Sequence, residues 1–149
     1  MLNSGLLSSN SFEWYTPLSL FSVLNSEFHF DLDPCAEITN RLGVKNFFTI
    51  HDDGLSKNWC LYNSIFINPP YGRSIYKWIE KAYNTFIDSN HSITIVLLLP
   101  VRTDTKWFHN FLYNDFCSIR FLKGRVKFCP NGNSAPFPSM ICIFKKIVV

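Results

Sequence analysis

The 149-residue chain is poor in glycine, with six, and in charged side chains, at 17%. With 47% hydrophobic residues, that scarcity of charge excludes an intrinsically disordered chain. Long apolar runs are lacking too. The longest, over residues 93–99, contains Thr94 and stops at Pro100, well short of the roughly 20 residues a membrane span needs. The first residues carry no basic flank ahead of an apolar stretch, so no secretory signal is expected and a cytoplasmic location is. Five cysteines, an odd number at wide spacing without a C-x-x-C pair, exclude a disulfide framework and a thiolate zinc site. His29, His51, His91 and His109 show no ligand spacing, so no metal is expected. There is no internal repeat and no low-complexity tract.

What is present fits one domain over residues 1–149, with residues 1–11 as a loose polar leader. The charge is unevenly spread. Residues 1–50 hold five acidic and two basic side chains, whereas residues 101–149 hold eight basic and two acidic ones. An acidic first third and a basic last third point to two ligands on one domain, the second a polyanion such as nucleic acid.

Thr16-Pro17 predicts a helix start, with Thr16 as N-cap, Pro17 in the first turn, and Leu20, Val23 and Leu24 as the apolar stripe. Strands are expected over residues 28–32, 47–50 and 62–67, with a short helix over 36–42. Residues 74–87 place Ile75, Trp78, Ile79, Ala82 and Phe86 on one helical face. The run at 93–99 reads as a strand buried on both faces. A helix over 105–113 and strands over 119–122, 126–128 and 140–148 complete an α/β sheet, mostly parallel with an antiparallel C-terminal edge. Asp33, Asp53, Asn68 and Arg102 each follow an expected strand, so they can meet at one rim.

Asn68-Pro69-Pro70-Tyr71 is the most informative tetrapeptide. Each residue before a proline is pushed toward extended backbone, and neither proline has an N–H. The Asn68 amide oxygen and the Pro69 carbonyl can then face the same small volume. Two acceptors suit a ligand that presents an NH₂ group, such as a nucleobase amine. Tyr71 offers a flat face for stacking.

Around this tetrapeptide stand Glu13-Trp14-Tyr15-Thr16-Pro17, Asp33-Pro34-Cys35-Ala36, Asp53-Gly54-Leu55, Trp78-Ile79-Glu80-Lys81-Ala82, Leu99-Pro100-Val101-Arg102-Thr103-Asp104 and Gly124-Arg125-Val126-Lys127-Phe128. In this order they resemble the phage-type DNA N-6-adenine methyltransferase family, over roughly residues 12 to 145. The resemblance implies a compact Rossmann-like domain that uses S-adenosylmethionine, in a phage- or prophage-encoded protein of a bacterial cell. It implies a catalytic Asn68-Pro69-Pro70-Tyr71. It also implies a cofactor site from Tyr15, Thr16, Pro17, Asp33, Pro34 and Cys35, together with Asp52 or Asp53.

One departure is the lack of a G-x-G loop after Asp33. Another is that too few residues separate Asp33 from Asn68 for a strand–helix unit common in larger relatives. DNA contacts are expected from Arg73, Arg102, Lys123, Arg125 and Lys127, with Phe128 against an extruded base. A separate target-recognition domain does not fit in this length. Recognition is left to loops (Arg73, 102–106, 130–138), to a homodimer or to a partner chain. Two other readings use the same residues. One is methylation of another NH₂ group, on an RNA base or a protein glutamine. The other is an inactive nucleic-acid-binding homologue. A Pro34-Cys35 thiolate attacking cytosine is disfavoured, because that chemistry does not use Asn68 and its prolines.

Overall fold

The apolar run at 93–99 forms the middle of the molecule. In the computed structural model, which describes residues 14–148, it is strand β4 (Thr94–Pro100), buried along residues 95–100. The other strands are β1 (Leu32–Asp33), β2 (Asn46–Phe47), β3 (Ser64–Ile67), β5 (Cys117–Phe121) and β6 (Ser139–Phe144). They form one sheet in the order β2-β1-β3-β4-β6-β5. Strands β1 to β4 run parallel, and β6 is antiparallel to both β4 and β5. The expected α/β sheet with its antiparallel C-terminal edge is therefore found. The leader expected over residues 1–11 lies outside the described residues.

Two helices cover the sheet. Helix α1 (Leu18–Phe28) sends Phe21 onto Phe66 of β3, with ring centroids 5.3 Å apart. Helix α2 (Ile75–Asp88) sends Phe86 onto Phe144 of β6, at 5.4 Å. The register aligns Ile65, Ile95 and Phe144, one position out of phase with Phe66. Because side chains alternate across a strand, α1 and α2 lie on opposite faces. The five apolar positions expected on α2 are all buried. No helix among the described residues is long and apolar enough to cross a membrane.

Local chemistry shifts several boundaries. The N-cap of α1 is Pro17, not Thr16, and helical residues begin at Leu18. The Thr16 hydroxyl accepts a hydrogen bond from Asn68 (3.0 Å) instead of capping the helix. The buried residues of α1 are Phe21 and Leu24, while Val23 is exposed. Residues 36–42 form turns rather than a helix. Asn40 takes a left-handed conformation there, and its amide donates to the Val44 carbonyl at 3.1 Å, a local bond that competes with helix. Strand β2 ends at Phe47 because Asp52 accepts from the Thr49 N–H (2.9 Å) and hydroxyl (3.2 Å), which turns the chain. The expected helix at 105–113 is mainly a π-helical turn, Phe108–Leu112. The expected strand at 126–128 is reduced to isolated bridges, Lys127 with Ser134 and Tyr15 with Cys129.

Gly54 explains one motif differently from its sequence context. It opens a short 3-10 turn (Gly54–Ser56), and an ideal Cβ on it would lie 2.0 Å from the Pro34 carbonyl oxygen. Its own carbonyl accepts the Trp59 indole N–H at 2.9 Å. The missing side chain thus lets this turn press against the loop that follows β1. Gly54→Ala should destabilise the protein by at least ~1–3 kcal/mol, the usual range for overpacking. Urea unfolding checks this, and parental stability would mean that the Pro34 loop shifts freely.

Candidate active site

Because β1, β3 and β4 are parallel, their carboxyl ends open on one side of the sheet. Asp33 lies at the end of β1, Asn68 follows β3, and Arg102 lies two residues past β4. Beside them is a cavity of about 370 Å³ that Thr16, Asp33, Cys35, Glu37, Asn68 and Pro69 help to line. That volume falls in the roughly 300–1,000 Å³ range of small-molecule sites.

Asn68 is held from one side only. Its amide nitrogen donates to the Trp14 carbonyl at 2.6 Å and to the Thr16 hydroxyl at 3.0 Å. A carbonyl can only accept, so the NH₂ must face Trp14 and the oxygen must face away. That oxygen, Oδ1, is buried with no partner among the described residues. An unpaired buried acceptor costs about 1–3 kcal/mol. Such an atom is suited to a ligand that brings a donor.

Asp33 is 3% exposed, and burial pushes its carboxyl up to about 7, although the Cys35 N–H donates to it at 3.3 Å. A carboxylate so deprived of water is suited to an ammonium ligand. Cys35 lines the same cavity, and burial pushes its thiol far above the usual range. It is no ready thiolate nucleophile.

Of the other expected cofactor residues, Tyr15 lines this cavity, as does Pro70 from the tetrapeptide. Pro34 packs on Gly54, and Pro17 faces a different cavity. Asp52 and Asp53 are exposed and are not among the lining residues. Their displacement follows from the early end of β2. The acidic residue found beside Asp33 is Glu37, which pairs with Arg41 at 2.9 Å. In the sequence Glu37 falls in the stretch expected as a helix over 36–42, whereas the turn Asp33-Pro34-Cys35-Ala36-Glu37 folds back onto the cavity.

Tyr71 faces a second cavity, of about 520 Å³, shared with Trp14, Arg73, Arg102, Trp107 and Phe137. Trp14 borders both cavities, so the tetrapeptide lies between them. The Tyr71 hydroxyl donates to the Leu98 carbonyl at 2.9 Å, which fixes the ring. Phe128 is 1% exposed and packs edge-on against Trp14 and Tyr71, at 5.7 and 6.2 Å. It supports those rings from the core and is not among the residues lining the second cavity. The three segments expected to carry recognition meet there through Arg73, Arg102, Thr105, Pro136 and Phe137. Trp14, Trp107 and Phe137 carry no signal of this placement in the sequence, where aromatic side chains read first as core. Lys123, Arg125 and Lys127 line a third cavity, beside Pro17 at the start of α1. Arg120 is bound to Glu27 by two bonds of 2.8 and 2.6 Å.

The buried Asp33 has a consequence for stability. Its native value of about 7 lies above the ordinary 3.8, so between these pH values the native state holds more protons than the unfolded one. Its contribution therefore worsens as pH rises from about 4 to 7 and stays unfavourable above that. Asp33→Asn should stabilise the ligand-free protein at pH 8 by ~2–4 kcal/mol, at about 1.4 kcal/mol per pH unit, and change little at pH 4. Urea titrations at both pH values test this, and a variant that is destabilised at pH 8 would contradict it.

A DNA N-6-adenine-methyltransferase of Haemophilus phage HP1 (strain HP1c1) is 30% identical over 152 residues, covering 97% of this chain and 85% of the phage protein. A DNA N-6-adenine-methyltransferase of Escherichia phage T1 is 29% identical over 96 residues, covering 64% of this chain and 38% of that protein. The sequence profile described as DNA N-6-adenine-methyltransferase (Dam) matches residues 3–147. With nearly its whole length matched, the chain belongs to the DNA N-6-adenine-methyltransferase (Dam) family.

Proposed function

We propose that this chain is an adenine-specific DNA methyltransferase that moves a methyl group from S-adenosylmethionine to the N6 amine of an extruded adenine. The observation that carries this reading is the Asn68 Oδ1, unpartnered among the described residues and set in a tetrapeptide between two cavities. The two phage relatives carry the same activity in their names.

The cavity bearing Asp33 is assigned to the cofactor. Asp33 would hold the ligand's ammonium, and the Glu37 carboxylate is the nearest candidate for its hydroxyls. When bound, S-adenosylmethionine supplies a methyl group on a sulfonium. The cavity bearing Tyr71 is assigned to the base. An adenine amine is paired inside the duplex, so the base must leave the stack. Trp14, Trp107 and Phe137 offer it flat partners, each worth about 1–3 kcal/mol in stacking. Asn68 Oδ1 and the Pro69 carbonyl then accept the two amine hydrogens, which raises electron density on nitrogen and aims it at the cofactor side. Positioning of this kind supplies the rate without a protein nucleophile. The arrangement suits a compact Rossmann-like methyltransferase domain, with one strand–helix unit fewer than larger relatives.

Arg73 and Arg102 border the base cavity, and Lys123, Arg125 and Lys127 border the third. We assign both groups to the DNA backbone. Specificity then rests on the loops around the base cavity, or on a homodimer or partner chain.

Incubation with labelled S-adenosylmethionine and unmethylated DNA, followed by nucleoside analysis, should yield N6-methyladenine. Asn68→Ala should lower transfer by roughly a hundredfold or more and leave cofactor affinity within a few-fold. Activity near the parent's would remove Asn68 from its role.

Neutralising Lys123 and Arg125 together should flatten the slope of log affinity against log salt by up to about two units, at roughly 0.9 per phosphate contact. The loss should be alike for specific and random DNA, since phosphate contacts position without reading sequence. An unchanged slope in a folded variant places these residues off the DNA path.

A further inference from the structure

We infer that Thr16 is a positioning residue for the catalytic amide, in place of the helix cap its position implies. The inference rests on the proposed role of Asn68. Thr16 is 2% exposed, and its hydroxyl takes one of the two N–H groups of Asn68 while the Trp14 carbonyl takes the other. With both hydrogens held, the amide cannot turn over, and Oδ1 is the atom left for the substrate amine. The segment is itself braced. Arg41 donates to the Thr16 carbonyl, and Glu37 accepts from Arg41 Nε at 2.9 and 3.2 Å. Without the Thr16 hydroxyl, one N–H of Asn68 loses its partner, and the amide, held by the Trp14 carbonyl alone, swings about that one bond so that Oδ1 loses its fixed place. Transfer would slow although the cofactor still binds.

Steady-state methylation of DNA by Thr16→Val and Thr16→Ser, beside the parent and Asn68→Ala, tests the clamp. Valine keeps the branched shape without the acceptor, and serine restores it. Thr16→Val should lower kcat roughly 10- to 100-fold with KM for S-adenosylmethionine within about threefold, and Thr16→Ser should recover to within about threefold of the parent. Parental kcat in Thr16→Val beside a dead Asn68→Ala overturns the clamp and leaves the role of Asn68 intact. A raised KM for S-adenosylmethionine at parental kcat also overturns it, making Thr16 a cofactor contact. An active Asn68→Ala removes both readings.

Should Thr16→Val fail to fold, Thr16→Ala supplies the test. It also removes the acceptor and should lower kcat roughly 10- to 100-fold with KM for S-adenosylmethionine within about threefold. Parental kcat in Thr16→Ala overturns the clamp.

Discussion

The two hydrogen bonds from the Asn68 amide to the Trp14 carbonyl and the Thr16 hydroxyl tie the segment before α1 to the end of β3, more than fifty residues away in sequence. A carbonyl accepts and never donates, so these bonds set which end of the amide points outward. That Oδ1 is the atom left without a partner among the described residues follows from that choice. An amide free to rotate would present donor and acceptor alternately, and a nucleobase amine needs only the acceptor.

Rings reinforce the same junction. Trp14, Tyr71, Phe128 and Phe137 pack on one another with centroids 5.3 to 6.2 Å apart. The buried Phe128 is the support, and the others turn an edge or face toward the second cavity. Packing of this kind holds the rings beside the second cavity in fixed positions. The Tyr71 hydroxyl bonds to the Leu98 carbonyl and so anchors the cluster to β4, buried along residues 95–100.

Asp33 works against the stability of the fold that holds it. Burial raises its carboxyl to about 7, so the ligand-free site takes up a proton far more readily than an ordinary aspartate does. Groups with such displaced titration gather at functional sites because a ligand, and not the fold, satisfies them. The buried carboxylate thus marks the cavity beside Asn68 as a candidate ligand site.

The order of the elements, the helix over residues 74–87 and the doubly buried strand at 93–99 could be read from the sequence, because periodicity and apolar runs are local properties. So could Asn68 and its prolines, since two adjacent prolines constrain the backbone wherever they occur. Three things were settled only by tertiary structure. Asp52 and Asp53 follow an expected strand in sequence, yet the Thr49–Asp52 turn carries them into solvent. Glu37 reaches the cavity because the chain after β1 folds back, which no spacing rule shows. Thr16 reads as a helix cap until the end of β3 comes within hydrogen-bonding distance. Local sequence decided which groups were available. Long-range packing decided which partner each one met, because a hydroxyl or carboxylate bonds to whatever the folded chain brings within about 3 Å.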